Sequence, residues 1–450
     1  MYAVLSNLSR FLHRRCAQGR LETSKRGAAG RFSYQRIEGM RVKTLDEQLV
    51  APWVQWSRRF SNGRRLLETG TYALTEGAIA AGCRFFGGYP ITPATEIAEH
   101  MSKRLPMVGG FYVQAEDELA GMHMCAGGSL GGLKAMTATS GPGYTLMHDA
   151  YGWTITNEIP LVVVDAMRVG PISGITGAPG QGEFYVSRYC THGGNFETIV
   201  LSPNSVQEIF WLTIDAFNLA ERFRTVVTIL TDQVISDMQE DLFIPADYGD
   251  LAEIIVPRRH NLGLPFYPGG SDAIDFPPNI IGRGSGVCVS AYTHTQEGYD
   301  IEEMEAQWEQ TQRLVNKIRH HADQILRYEA VGLDDAEVVA VAYGAPSRTV
   351  KTGVLEARRR GIRAGLLRLI SLWPFPNELF TRDARYLVCE LNYDGQLVRE
   401  VQRAAPDKSK VRFMGKSAEL HTVAEVSAAL EGMSRNGEVP EMPYIWREMR

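Results

Sequence analysis

Cysteine is scarce and scattered. The six are Cys16, Cys83, Cys125, Cys190, Cys288 and Cys389, and no two stand at C-x-x-C spacing. Zinc knuckles and cysteine-held iron–sulfur clusters are thereby excluded for this chain. Isolated thiols of this kind read as reduced cysteines of a cytoplasmic protein. No apolar run reaches the length of a bilayer-spanning helix, so no membrane role is expected. A formal net charge of -5 gives no reason to propose nucleic acid or an anionic membrane as partner. There is no fixed-period repeat and no low-complexity tract. With 44% hydrophobic and 22% charged residues, disorder, collagen and a disulfide-stapled scaffold are excluded. The 450 residues leave room for two to three domains.

What is present begins with an uneven charge. Residues 1–43 hold ten Lys/Arg against Glu22 and Glu38, while the remainder carries 37 basic and 50 acidic groups. This leader reads as a disordered basic arm, as an organelle presequence, or as sequence ahead of a true start at Met40. A capping box at Thr44-Leu45-Asp46-Glu47 then announces a helix. From about residue 65 short strands alternate with helices. Strand runs are Phe85-Phe86, Phe111–Val113, Ala135–Thr139, Leu161–Val164 and Val226–Leu230, and helical patterns cover Pro93–Leu105, Asp117–Gly127, Tyr144–Ile155 and Ser205–Phe223. The last two strand runs are nearly continuous in Val, Ile and Leu, as strands covered on both faces are. This alternation predicts an α/β fold with an open parallel sheet over 44–255, whose ligands lie beyond the carboxyl ends of the strands.

Residues 256–330 break the pattern. Pro257, Pro265, Pro268, Pro277 and Pro278 mark an irregular crossing segment. It leads into an amphipathic helix whose stripe is Ile301, Met304, Trp308, Thr311, Val315, Ile318, Ala322 and Ile325, most simply packed on the body of the protein. A smaller α/β domain follows over 331–450, with strands at Val338–Ala342, Ala364–Ile370 and Tyr386–Glu390.

Four strand-to-helix turns carry the candidate chemistry. In Gly87-Gly88-Tyr89-Pro90-Ile91-Thr92-Pro93, Thr92-Pro93 is a good helix start, and the same groups are suited to holding a substrate carboxylate. Glu116-Asp117-Glu118 favours a helix macrodipole, and one of these acids turned into the cleft would share a proton with a ligand nitrogen. Thr137–Gly143 is a strand with a tight glycine turn that matches neither a Walker A loop nor a dinucleotide fingerprint. Arg168, just past Leu161–Val164, is placed either to grip a carboxylate or to form a structural ion pair. His123 and His148 sit inside helical patterns and receive no role.

Between about residue 68 and the C-terminus stand, in order, Gly88-Tyr89-Pro90-Ile91-Thr92-Pro93, Glu116-Asp117-Glu118, Thr137–Gly143, Glu158–Asp165, and Leu366–Leu369 with Trp373-Pro374-Phe375-Pro376. Together they resemble the alpha subunit of 2-oxoacid:ferredoxin oxidoreductases, thiamine-diphosphate enzymes that oxidatively decarboxylate 2-oxo acids to acyl-coenzyme A. The resemblance implies that 44–255 is the pyrimidine-binding domain of the cofactor. It implies a transketolase-C-terminal-like unit for 331–450. The family's glutamate, which hydrogen-bonds the aminopyrimidine, falls on Glu116, with Glu118 second. Tyr89 and Pro90 belong to the same cofactor site. Thr92 would meet the substrate's oxo or carboxylate group, and Arg168 its carboxylate. A carboxyl group at the ring nitrogen favours the imino form that takes the cofactor's C2 proton.

The chain also departs from the family. Gly177-Ala178-Pro179-Gly180-Gln181-Gly182-Glu183 stands where members have a Thr/Arg stretch leading to Glu-Gln-Gly-Asp, so Ala178 and Gly180 replace a basic residue and an acid. No Gly-Asp-Gly with a downstream Asn is present to hold a diphosphate through magnesium. The resemblance therefore implies half an active site. A beta subunit is expected to bring the diphosphate domain, Mg²⁺ and a [4Fe-4S] cluster, in a heterodimer or a dimer of heterodimers. Electrons would leave to ferredoxin. 2-Oxoglutarate ranks first as substrate, because unfused alpha subunits of this layout often belong to that branch. A branched-chain or aromatic 2-oxo acid comes second, and a paralogue without chemistry third.

Overall fold

The computed structural model describes residues 49–439, apart from Ser61, Leu262, Ser285 and Val287. The basic leader and the capping box at 44–47 lie outside the described residues. From the amino end come β1 (Leu49–Val50), α1 (Pro52–Arg59), β2 (Gly63–Thr69), α2 (Gly70–Ala80), β3 (Cys83–Gly88) and α3 (Thr95–Met107). Next are β4 (Phe111–Gln114), α4 (Glu118–Leu130), β5 (Lys134–Thr139), α5 (Pro142–Leu146), α6 (His148–Thr156) and β6 (Leu161–Met167). Then follow β7 (Ile199–Leu201), α7 (Val206–Phe223), β8 (Val226–Asp232), α8 (Gln233–Asp237) and β9 (Gln239–Pro245). After the irregular segment come α9 (Met304–Arg319), α10 (Ala322–Ile325), β10 (Tyr328–Val331), β11 (Val338–Ala342), α11 (Pro346–Arg359) and β12 (Ala364–Leu369). The last are β13 (Ser371–Trp373), β14 (Arg385–Glu390), α12 (Leu397–Ala404), β15 (Val411–Gly415) and α13 (Val423–Asn436).

The first sheet runs β13-β7-β8-β6-β5-β3-β4, and every pair in it is parallel except β13 with β7. Alternation along β6 shows why it is so apolar. Val162, Val164 and Ala166 face a core shared with α2, α3 and α7, while Leu161 and Val163 face one shared with α4, α5 and α6. Both faces are dry, so the run has no polar half. Truncating one such residue, Val163 to Ala, would cost about 1–3 kcal/mol. Because β3, β4, β5, β6 and β8 run in one direction, the turns after Gly88, Gln114, Thr139, Met167 and Asp232 all open on one edge.

The second sheet runs β1-β10-β12-β11-β14-β15, parallel over its last four strands. The two units interlock: Ser371 and Trp373, from the second, pair with Leu201 and Val200 of the first sheet. Among the described residues no helix is long and apolar enough to cross a membrane.

Three local expectations change. The α3 ladder starts at Thr95 and not at Pro93, because the Ala94 N–H closes a turn onto Ile91 O at 2.7 Å ahead of it; Thr92 is therefore no helix cap. The helix expected over Tyr144–Ile155 is two, α5 and α6, meeting at Met147. The amphipathic helix covers 304–319 only, and its stripe is not all buried: Met304 and Trp308 are 84% and 64% exposed. Its buried face instead carries Arg313 and Lys317, which donate to Glu158 Oε1 and Oε2 at 2.5 and 2.9 Å. Those charges sit on the face that packs, because an anion waits there.

Candidate active site

Gly88 and Gln114 are register partners at the ends of β3 and β4, and the Ala115 N–H donates to Gly88 O at 2.9 Å. The residues that follow, Tyr89 with Pro90 and Glu116, leave the sheet side by side. Tyr89 is 41% exposed, and Pro90, Thr92 and Glu116 are exposed too. They form an open lip and not a pocket.

The three consecutive acids divide three tasks. Glu116 lies on the open lip. Asp117 is the N-cap of α4 and accepts from the Ala120 N–H at 2.8 Å. Glu118 is buried, accepts from Thr139 Oγ1 at 3.4 Å, and burial pushes its carboxyl pKa up.

At the end of β6, Asp165 is fully buried and accepts from the Gly141 N–H at 3.2 Å. Burial, with Glu183 nearby, holds its pKa well above the carboxylate range. Arg168 is 4% exposed and donates through Nη1 to the backbone oxygen of Thr92. Thr92 and Arg168, paired as substrate contacts from the sequence, are thus joined directly, through the main chain of Thr92. Among the described residues, Arg168 Nε, Asp165 Oδ2, Ser140 Oγ and Thr137 Oγ1 are buried without a hydrogen-bond partner. Leaving each such atom unpaired costs about 1–3 kcal/mol. They belong to β5, to β6 and to the residues just past them, on the edge where ligands of such sheets bind.

Residues 171–177 are exposed, whereas Gln181 is buried and Glu183 half-buried. Burial lifts the Glu183 carboxyl to about 7, against the pull of the Gly182 N–H and Arg168. Glycine at 180 has a steric reason. A Cβ there would lie 2.5 Å from Val169 Cα, so only glycine fits this backbone. The sequence offered Thr137–Gly143 as a candidate turn but gave Thr137 and Ser140 no role, and the burial of Gln181 carried no local signal.

A cleft of about 450 Å³ lies elsewhere, lined by Tyr292, Met304, Trp308 and Thr311, with none of these strand-end residues in its wall. Among the described residues no group of three His, Cys, Asp or Glu is placed to hold a metal ion.

A doubly covered parallel sheet with a carboxylate, an arginine and unpaired polar groups at its carboxyl edge defines a ligand-binding α/β enzyme domain. Residues 76–313 match the family described as pyruvate flavodoxin/ferredoxin oxidoreductase, thiamine diphosphate-binding, and residues 336–426 match pyruvate:ferredoxin oxidoreductase core domain II. The 2-oxoglutarate synthase subunit KorA of Methanocaldococcus jannaschii is 42% identical over 81% of this chain and 98% of its own length. The ketoisovalerate oxidoreductase subunit VorB of Methanothermobacter thermautotrophicus is 36% identical over 81% and 97%. A solved 2-oxoglutarate:ferredoxin oxidoreductase from Magnetococcus marinus, with 2-oxoglutarate, coenzyme A and succinyl-CoA bound, superposes with a TM-score of 0.76 at 26% identity. That likeness covers 82% of this chain and 65% of the solved one. The chain belongs to the 2-oxoacid:ferredoxin oxidoreductases, as an alpha-type subunit with a thiamine-diphosphate-binding domain. The resemblance drawn from the five segments, and the α/β class with it, is borne out.

Proposed function

We propose that this subunit, with a beta subunit, oxidatively decarboxylates 2-oxoglutarate to its acyl-coenzyme A and passes the electrons to ferredoxin. The observation that carries this reading is that Tyr89, Thr92, Glu116 and Arg168 all follow parallel strands at one edge of the first sheet, with Arg168 bonded to the main chain of Thr92. The names of the 42%-identical relative and of the solved neighbour supply the substrate.

Thiamine diphosphate supplies, when bound, the electron sink that decarboxylation needs. Glu116 would share a proton with the aminopyrimidine nitrogen, and Tyr89 and Pro90 would help to hold the same ring. Arg168 holds the substrate carboxylate through its free Nε edge, and Thr92 lies beside the oxo group. The exposure of Glu116 suits a ring that a partner subunit would cover. That partner carries Mg²⁺, the diphosphate site and a [4Fe-4S] cluster, in a cytoplasmic αβ assembly. A 2-oxo acid with a branched side chain is the second reading, and the ketoisovalerate relative supports it.

The test is a screen of 2-oxo acids, with coenzyme A and a viologen dye, on the co-expressed pair. Dye reduction that is greatest with 2-oxoglutarate is expected. A colourless chain that carries no thiamine diphosphate and reduces no dye with any 2-oxo acid would refute the proposal.

A further inference from the structure

Gln181 sits where the two units meet, and all its polar groups are spent on one of them. Its side-chain amide donates to Tyr343 O at 3.1 Å and accepts from the Leu391 N–H at 3.0 Å. Its own N–H donates to Leu391 O at 2.8 Å, and its carbonyl accepts from Asn392 Nδ2 at 2.9 Å. Tyr343 and Leu391 are the first residues past β11 and β14, neighbouring strands of the second sheet. The grip continues along the chain. Gln396 donates to Gly182 O at 2.8 Å and accepts from the Tyr185 N–H at 3.0 Å, and Trp373 Nε1 donates to Phe184 O at 3.0 Å.

The preceding residues lie on the first sheet's edge. The Val169 N–H donates to Ala178 O at 3.0 Å, and Gly180 packs against the main chain of Arg168 and Val169. The segment is therefore held on one side by rigid strand ends of the second unit and on the other by the residues that follow Arg168. Gln181 is fully buried at the changeover.

We propose that Gln181 is a positioning residue: by tying Tyr343 and Leu391 to the 178–183 segment, it fixes Arg168 for the substrate carboxylate. This rests on the functional reading above, since it names what holds that same site in register. It gives the second unit a task in the reaction, as the jig for the substrate end of the mouth. Side chains held within a few tenths of an ångström bind and orient well, and a looser segment loses both.

The test uses the co-expressed pair with Gln181→Met, which keeps length and volume but neither hydrogen bond. Gln396→Ala, at a half-buried site, is the second variant in case the first does not assemble. With 2-oxoglutarate as probe, Gln181→Met raises its KM about tenfold or more while leaving the KM for coenzyme A within about twofold. Hydrogen exchange of amides 175–185 becomes about tenfold faster, and Gln396→Ala gives the same pattern more weakly. A merely structural role would move melting and subunit yield without splitting the two KM values. Faster exchange with an unchanged KM for 2-oxoglutarate overturns the proposal, as does unchanged exchange. A wild-type pair that turns over no 2-oxo acid is the failure of the functional reading itself, and it is seen before any variant is made.

Discussion

A methyl group on Gly143 would lie 2.1 Å from Oε1 of Glu118 and 2.3 Å from Thr139 Oγ1. The start of α5 is thus pressed onto a buried carboxyl group, and the turn after β5 owes its shape to that contact. Gly143→Ala should cost about 1–3 kcal/mol, read as a lowered melting temperature. Glu118→Gln keeps the shape and removes the burden of a buried acid. Its melting temperature should stay within a few degrees of wild type.

Glu158 meets Arg313 and Lys317 within a fully buried cluster that also faces Arg224. Desolvation alone would lift its pKa, but Lys317 and then Arg313 overcome that and hold the carboxyl well below the usual range. The sign follows. A depressed folded-state pKa stabilises above the unfolded value, near 4.5, and that contribution is lost as pH falls. Glu158→Gln leaves two or three cations facing a neutral amide, a change expected to cost about 3–5 kcal/mol at pH 7 by denaturant unfolding. It should also flatten the acid limb of the stability profile.

Arg168→Lys retains the charge but not the planar fork. On the proposed role, KM for 2-oxoglutarate rises about 10–100-fold while KM for coenzyme A stays near wild type. Equal rises in both would point to a general loss of structure.

Glu183, lifted to about 7 by burial, stands near Arg168 and buried Asp165. Below pH 7 it is neutral and leaves the guanidinium to the substrate; above pH 7 it ionises and competes. KM for 2-oxoglutarate should climb as pH passes about 7, and Glu183→Gln should flatten that climb. Stability carries the matching sign: a raised carboxyl pKa contributes stability below the unfolded value of about 4.5, and it is lost as pH rises through about 7.

The parts of the fold written in local pattern were legible. Leu161–Val164 and Val226–Leu230 read as strands covered on both faces, and β6 and β8 are. The edge was legible because turns after parallel strands share it, which grouped Thr92, the Glu116-Asp117-Glu118 turn and Arg168; Tyr89 and the roles given to these residues came from the family resemblance. What could not be read depends on residues far apart. Gln181 meets Leu391 across 210 positions, and Glu158 meets Lys317 across 159. Arg313 and Lys317, beside the apolar stripe of α9, could not be read as buried for the same reason, since a buried cation makes sense only beside its distant anion. The crossing of Ser371–Trp373 into the first sheet left no signal in a run that suits either sheet.

Two carboxyl groups lie close in sequence at the mouth, one exposed and one buried, and the account assigns the chemistry to the exposed one. The deciding measurement is 2-oxoglutarate-dependent dye reduction by the co-expressed pair carrying Glu116→Gln or Glu118→Gln, with bound thiamine diphosphate quantified in each. Glu116→Gln should lower turnover by about 10²–10⁴-fold with the cofactor still bound, and Glu118→Gln should keep most of it. Near-wild-type turnover in Glu116→Gln would contradict the account.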